Sequence, residues 1–155
     1  MSSTRNERII AATPERLYRA LTDPAALSVW LAPGDMTGEI HHFDLREGGG
    51  YEMSLYYPDT ETGSPGKTGT HEDRFSATFT ELAPNKKVVQ AIRFDSDDPA
   101  FGGKMQMTVL LEPVRENIRV TFLFTDIPPG IRPEDNTEGT EQSLDKLERY
   151  VTQGS

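Results

Sequence analysis

The chain has 155 residues, a formal net charge of −9 and no cysteine. This length suits one domain with a single hydrophobic core, which we predict to span residues 1–155. The negative charge disfavours contact with nucleic acid phosphates and anionic membrane surfaces, and the absence of cysteine excludes disulfides, thiolate catalysis and cysteine-bound zinc. Because no apolar run reaches membrane length and the N-terminus has no apolar signal segment, we expect a cytoplasmic protein.

The N-terminal region predicts one strand followed by two short helices. Residues 7–12 form the strand. Thr13 then supplies a helix N-cap and Pro14 the first helical residue. Asp23 and Pro24 repeat this pattern of a cap followed by proline directly afterwards. The order predicted for this region is therefore strand, helix, helix.

Apolar residues recur at every second position from Met36 onward, which is typical of strands with one buried face. His41, Phe43 and Leu45 are expected to share the inward face of the second strand. Residues 58–68 are rich in glycine and polar residues and predict an exposed hairpin loop. The strands after the two helices are predicted at residues 39–46, 51–57, 70–82, 87–94, 105–112 and 118–125.

A last helix is predicted at residues 137–151. Leu144, Leu147 and Val151 repeat at intervals of three or four and form a narrow apolar stripe, which needs a sheet to cover it. Seven strands and three helices in this order predict an α+β fold in which the sheet packs on the long terminal helix.

Segments spread over almost the whole chain carry a family resemblance. They are Thr13-Pro14-Glu15, Ala20-Leu21-Thr22-Asp23-Pro24, Trp30, Phe43-Asp44-Leu45-Arg46 with Gly48-Gly49, Glu81-Leu82-Ala83-Pro84, and Gly139 with Ser143-Leu144 and Leu147. In this order they resemble the START-like (SRPBCC, helix-grip) superfamily, in the branch named after the activator of heat-shock protein 90 ATPase. The resemblance implies a curved seven-stranded antiparallel sheet around the C-terminal helix, with an internal ligand cavity.

Two departures from the family pattern bear on function. Many members place tryptophan directly after the glycine that corresponds to Gly139, whereas this chain has Thr140 there, so a bulky plug at the cavity end is missing. The eukaryotic activator also has an N-terminal domain that engages the chaperone, and we expect none here. Chaperone contact is therefore kept as an alternative function only.

Histidines are the polar candidates for the cavity. Because side chains alternate between the two faces of a strand, His41 is predicted to point inward, and so are His71 and Asp73 together with Phe75. An imidazole can act as acid or base near neutral pH, so His41, Asp73 and Tyr51 are the candidate catalytic groups of a cofactor-free enzyme. The alternative is that the histidines lie at strand ends, in solvent or hydrogen-bonded to backbone.

A metal site is not expected. His41 and His42 are consecutive in a strand and point to opposite faces, so they cannot bind one ion together. In the strand order that the resemblance implies, the strands of His41 and His71 are separated by the strand of Tyr51, which puts them roughly 10 Å apart. We predict neither a metal nor a cofactor.

Aromatic, methionine and small residues predict the cavity wall, although a sheet of this size also needs such residues for its core. Gly139 inside a helix costs about 1 kcal/mol relative to alanine, which indicates that backbone or ligand lies close to it. The predicted ligand-binding residues are Trp30, His41, Phe43, Tyr51, Met53, His71, Phe75, Met105, Met107, Thr140, Ser143 and Leu144.

Three functions remain open from the sequence. The first is a non-catalytic protein that binds a small hydrophobic or aromatic ligand between sheet and terminal helix. The second is a cofactor-free cyclase or hydrolase-like enzyme, and the third is an interaction module, for example for a chaperone. We expect a monomer or homodimer.

Overall fold

The computed structural model describes residues 2–57, 72–96 and 98–153. The predicted hairpin loop at residues 58–68 and the candidate His71 lie outside the described residues. Within them, the seven predicted strands and three predicted helices are confirmed in order. The elements are β1 Ser2–Ile10, α1 Pro14–Thr22, α2 Pro24–Trp30, β2 Thr37–Phe43, β3 Gly50–Tyr56, β4 Glu72–Ala83, β5 Lys87–Phe94, β6 Met105–Val114, β7 Asn117–Ile127 and α3 Pro133–Gln153.

The strands form one curved antiparallel sheet in the order β1-β7-β6-β5-β4-β3-β2. β1 and β2 are therefore the two edges, and α3 lies against the concave face beside β1 and the two short helices. This is the predicted α+β helix-grip architecture. Among the described residues, no helix is long and apolar enough to cross a membrane.

Side-chain caps begin the two short helices as predicted. Thr13 Oγ1 accepts a hydrogen bond from the Arg16 backbone N–H at 3.1 Å, and Asp23 Oδ1 accepts one from the Ala25 N–H at 3.0 Å. Trp30 ends α2 inside the core, where its indole N–H donates to the Ala20 carbonyl at 2.8 Å. The bond from Trp30 to Ala20 thus joins the end of α2 to α1.

β1 and α3 begin earlier than predicted. β1 starts at Ser2 rather than near residue 7, because its inward residues Thr4, Asn6 and Arg8 are polar and hide the alternation of the strand. α3 starts at Pro133 rather than at residue 137, since proline is well suited to the first helical position.

A β-bulge in β2 makes one prediction wrong. The register shifts between Ile40, which pairs with Met53, and His42, which pairs with Glu52, so His41 is an extra residue in the strand. His41 is consequently exposed instead of facing inward with Phe43. Leu45 was also predicted inward, but it lies beyond the end of β2 and is 48% exposed.

Polar contacts join β1 to the helix above it. The Arg8 guanidinium reaches three carboxylates on α3, those of Glu141 at 3.1 Å, Asp145 at 2.5 Å and Glu148 at 3.5 Å. Asn6 Nδ2 also donates to Glu141, at 2.7 Å. One edge strand is thus bonded to three successive turns of α3.

We predict that Arg8→Ala destabilises the fold by about 1–2 kcal/mol, because three carboxylates lose their shared cation and repel one another. Arg5 is the matched control on the same strand, since it is more exposed and, among the described residues, pairs only with Glu7. Arg5→Ala should change stability by less than about 0.5 kcal/mol. Urea unfolding measures both, and equal losses would contradict the role of Arg8.

Gly50 allows β3 to lie close to β4. A Cβ at Gly50 would collide with the carbonyl oxygen of Ala77, whereas one at Gly102 would meet its nearest atom, the Pro99 carbonyl oxygen, at 3.4 Å. We therefore predict that Gly50→Ala lowers the free energy of unfolding by about 2 kcal/mol or more, because the backbone of β3 or β4 must move. Gly102→Ala should be nearly neutral, and thermal unfolding of the two variants tests the difference.

Candidate ligand-binding site

A cavity of about 260 Å³ lies between the concave face of the sheet and the N-terminal half of α3. The loops before β2 and before α3 complete its wall, through Leu31 and Pro33 on one side and residues 130–132 on the other. The cavity is therefore bounded by four separate parts of the chain.

The sheet side of the cavity is apolar and largely aromatic. The rings of Tyr51 and Phe75 approach edge to face at 6.3 Å, and so do those of Phe75 and Phe94. Such arrangements are the favoured geometry of aromatic pairs. Further apolar side chains on this side are those of Leu55, Ile92, Met105, Met107, Phe122 and Phe124.

The helix side is built from small residues. Thr140 Oγ1 donates to the Asn136 carbonyl of its own helix at 2.7 Å, and Ser143 Oγ donates to the Leu31 carbonyl at 2.8 Å. Within the described part of the chain, a Cβ at Gly139 would meet only Pro33, at an ordinary distance of 3.8 Å. Close backbone packing therefore does not require this glycine, and the space beside it belongs to the cavity.

Two polar groups reach the cavity from the sheet. The Tyr51 hydroxyl donates to Gln90 Oε1 at 2.9 Å, and burial raises the pKa of Tyr51, so this hydroxyl stays protonated. Asp73 is 1% exposed, and its Oδ2 accepts a hydrogen bond from the Tyr57 hydroxyl at 2.9 Å.

The structure separates the predicted ligand-binding residues into two groups. Tyr51, Phe75, Met105, Met107, Thr140 and Ser143 line the cavity, as does the catalytic candidate Asp73. The other described candidates do not line it. They are Trp30, Met53 and Leu144, which are fully buried in the core, Phe43, which stacks on Tyr51 with ring centroids 5.5 Å apart, and the exposed His41.

Some cavity residues were missed in the sequence. Leu55 could have been found, because it alternates with Tyr51 on the inward face of β3. Ile92 and Phe94 alternate in the same way on β5. By contrast, residues 130–132 carry no periodic signal, since they belong to a loop placed by tertiary contacts.

The three candidate catalytic residues do not converge. Tyr51 and Asp73 face the cavity, but His41 Nε2 lies 2.8 Å from Ser54 Oγ. Ser54 alternates with the cavity residue Leu55 on β3, which places His41 on the outer face of the sheet, turned away from α3. The predicted acid–base trio is therefore not assembled.

Metal ligands are not clustered among the described residues either. His42 Nε2 lies 3.0 Å from Glu52 on the outer face of the sheet. In the part of the chain that the structure describes, no three histidine, aspartate or glutamate side chains are placed to hold one ion.

Comparison with known proteins places this geometry in a family. Solved structures that resemble it include a protein of Chromobacterium violaceum, with 31% identity, a TM-score of 0.84 and 96% of each chain covered. A protein of Nitrosomonas europaea has 22% identity and a TM-score of 0.76, over 97% of this chain and 94% of that one. An AHSA1-like protein of Aeromonas hydrophila has 19% identity and a TM-score of 0.72, over 98% and 93%.

No curated protein sequence matches the chain. The family model described as Activator of Hsp90 ATPase homolog 1-like protein matches residues 11–152, which is nearly the whole length. The resemblance drawn from the sequence is thereby confirmed. This chain belongs to the family of Activator of Hsp90 ATPase homolog 1-like proteins.

Proposed function

We propose that this protein binds a small, largely apolar molecule in the cavity between the sheet and α3, without catalysing a reaction. The observation that carries the proposal is the wall itself, in which aromatic and methionine side chains face a helix surface of Gly139, Thr140 and Ser143. Mostly apolar concave sites with a few placed polar groups are typical of small-molecule binding.

The size of the cavity limits the ligand. Its volume of about 260 Å³ lies between an engineered cavity of about 150 Å³ that binds benzene and the roughly 300–1,000 Å³ of pockets for drug-sized ligands. An apolar molecule of one to three rings, or an aliphatic chain of similar bulk, therefore suits the space.

The enzyme alternative required His41, Tyr51 and Asp73 to act together. It is weakened because His41 lies on the outer face of the sheet. Chaperone contact stays a prediction from the family resemblance. A cytoplasmic location and a monomeric or homodimeric state likewise stay predictions from the sequence.

We predict that the protein binds N-phenyl-1-naphthylamine, a neutral apolar dye that becomes fluorescent out of water. The fluorescence should rise saturably, with about one dye per chain, and naphthalene should displace it. Ligand binding to the folded state should also raise the Tm with dye concentration. A linear, unsaturated rise with no displacement and no change in Tm would contradict the proposal.

Filling the cavity from α3 should abolish dye binding without loss of the fold. Gly139→Leu places a side chain in the cavity, and leucine is a better helix former than glycine by nearly 1 kcal/mol. We expect at least a tenfold loss of affinity with an unchanged or higher Tm, and a smaller loss for Gly139→Ala.

Glu138→Leu is the matched control, since Glu138 is the preceding residue of the same helix and is exposed. It adds the same side chain outside the cavity and should keep the affinity of the wild type. Equal affinity of Gly139→Leu and Glu138→Leu would show that the dye binds elsewhere, against the proposal.

A further inference from the structure

Two hydroxyl groups on the helix side of the cavity donate their hydrogens to backbone carbonyls. Thr140 Oγ1 donates to the Asn136 carbonyl, and Ser143 Oγ donates to the Leu31 carbonyl. Because a carbonyl oxygen can only accept, the hydroxyl is the donor in both bonds. Thr140 and Ser143 are each 6% exposed, so breaking either bond would leave buried polar groups unpaired, which is costly.

The oxygens of these two hydroxyls keep the capacity to accept a hydrogen bond. A hydroxyl has one hydrogen and two lone pairs, and among the described residues no group donates to Thr140 Oγ1 or to Ser143 Oγ. The two residues are three apart on α3, so their side chains are neighbours on one face of the helix. The helix wall therefore offers two adjacent acceptors, and both of its hydroxyl hydrogens are already used.

The hydroxyl on the sheet side of the cavity has the same polarity. Tyr51 donates to Gln90 Oε1 at 2.9 Å, and burial raises the pKa of Tyr51, which keeps the hydroxyl protonated. Among the described lining residues, the side chains that bear a hydroxyl are Tyr51, Thr140 and Ser143. Each hydroxyl of the described wall thus meets a ligand with its oxygen and not with its hydrogen.

Nitrogen donors on the wall are already paired. Among the described lining residues, they belong to the side chains of Arg132 and Asn136. The Arg132 side chain is 72% exposed and pairs with Glu134 at 3.1 Å, and Asn136 Nδ2 donates to Thr4 Oγ1 at 2.8 Å. A ligand acceptor would have to share one of these groups, whereas a ligand donor finds hydroxyl oxygens with open acceptor positions.

We propose that the ligand carries a neutral hydrogen-bond donor, a hydroxyl or N–H group on an apolar body, and that Thr140 Oγ1 or Ser143 Oγ accepts it. The inference rests on the proposed function above and adds the polar group of the ligand to it. A ligand donor adds a bond without breaking one. A ligand carbonyl or nitrile would instead draw a hydroxyl away from its backbone partner or stay unpaired, and buried polar groups without partners are the basis of strong discrimination.

Three naphthalene probes of similar size test the proposal. 1-Naphthol carries a donor, 1-cyanonaphthalene carries only an acceptor, and 1-methylnaphthalene carries neither. Their dissociation constants are measured by displacement of N-phenyl-1-naphthylamine. For the wild type we expect naphthol to bind about fivefold or more tightly than cyanonaphthalene.

Two variants each remove one hydroxyl from the helix wall. Thr140→Val keeps the shape of the side chain, and Ser143→Ala shortens it by one atom. At least one of them should weaken the binding of naphthol, relative to that of methylnaphthalene, about fivefold or more. Thr152→Val is the matched control, because the exposed Thr152 donates in the same way to the Glu148 carbonyl of the same helix, at 2.6 Å. It should leave all three affinities unchanged.

The outcomes distinguish this inference from the proposed function. If methylnaphthalene binds and naphthol binds no more tightly than cyanonaphthalene, the inference is overturned and the apolar cavity remains a binding site. If none of the probes binds, both fail. A preference for naphthol that is unchanged in both Thr140→Val and Ser143→Ala, or that is lost equally in Thr152→Val, also overturns the inference. The wild-type comparison needs no variant, so it decides the matter even if a variant does not fold.

Discussion

The cavity depends on the different ways in which the two halves of α3 are held. In the C-terminal half, Leu144, Leu147 and Val151 are at most 1% exposed and fill the space between α3 and the rest of the core. In the N-terminal half the contacts are polar, such as the hydrogen bond of 2.8 Å from Asn136 Nδ2 to Thr4 Oγ1. Polar contacts fix the distance between two elements without filling the volume between them, so the helix stays in place above an open space.

The same helix holds a second part of the wall. Ser143 donates to the Leu31 carbonyl, and the Lys146 ammonium donates to the carbonyls of Ala32 and Met36. Burial lowers the pKa of Lys146, in keeping with an ammonium group drawn partly out of water to reach backbone acceptors. Because these contacts fix the segment that carries Leu31 and Pro33, a shift of α3 would change two sides of the cavity together.

Local signals were sufficient for most of the fold. The Thr13 and Asp23 caps are set by residues adjacent in sequence, and alternation correctly placed Tyr51 and Phe75 inward. Alternation failed at His41, because a bulge adds one residue to β2, so that His41 does not face inward although Phe43 does, and a bulge leaves no mark in composition.

Other parts of the site depend on contacts between distant residues. The inward face of β1 could not be recognised by hydrophobicity, because Asn6 and Arg8 donate hydrogen bonds to a side chain of α3 more than 130 residues away. For the same reason, the sequence could not distinguish Phe75, which lines the cavity, from Trp30 and Met53, which fill the core. Which aromatic residue borders empty space is decided by what lies opposite it.

Thr140 illustrates how stability and cavity size are separated in this fold. Its hydroxyl bonds to the Asn136 carbonyl of its own helix, so the side chain presents little bulk to the cavity. The residues that set the free space, Gly139, Thr140 and Ser143, precede the fully buried Leu144 and Leu147 along the helix. Replacing the former changes the volume and polarity available to a ligand, while the contacts that bury α3 remain. In a helix divided in this way, the free volume beside the N-terminal half can change while the apolar contacts of the C-terminal half stay the same.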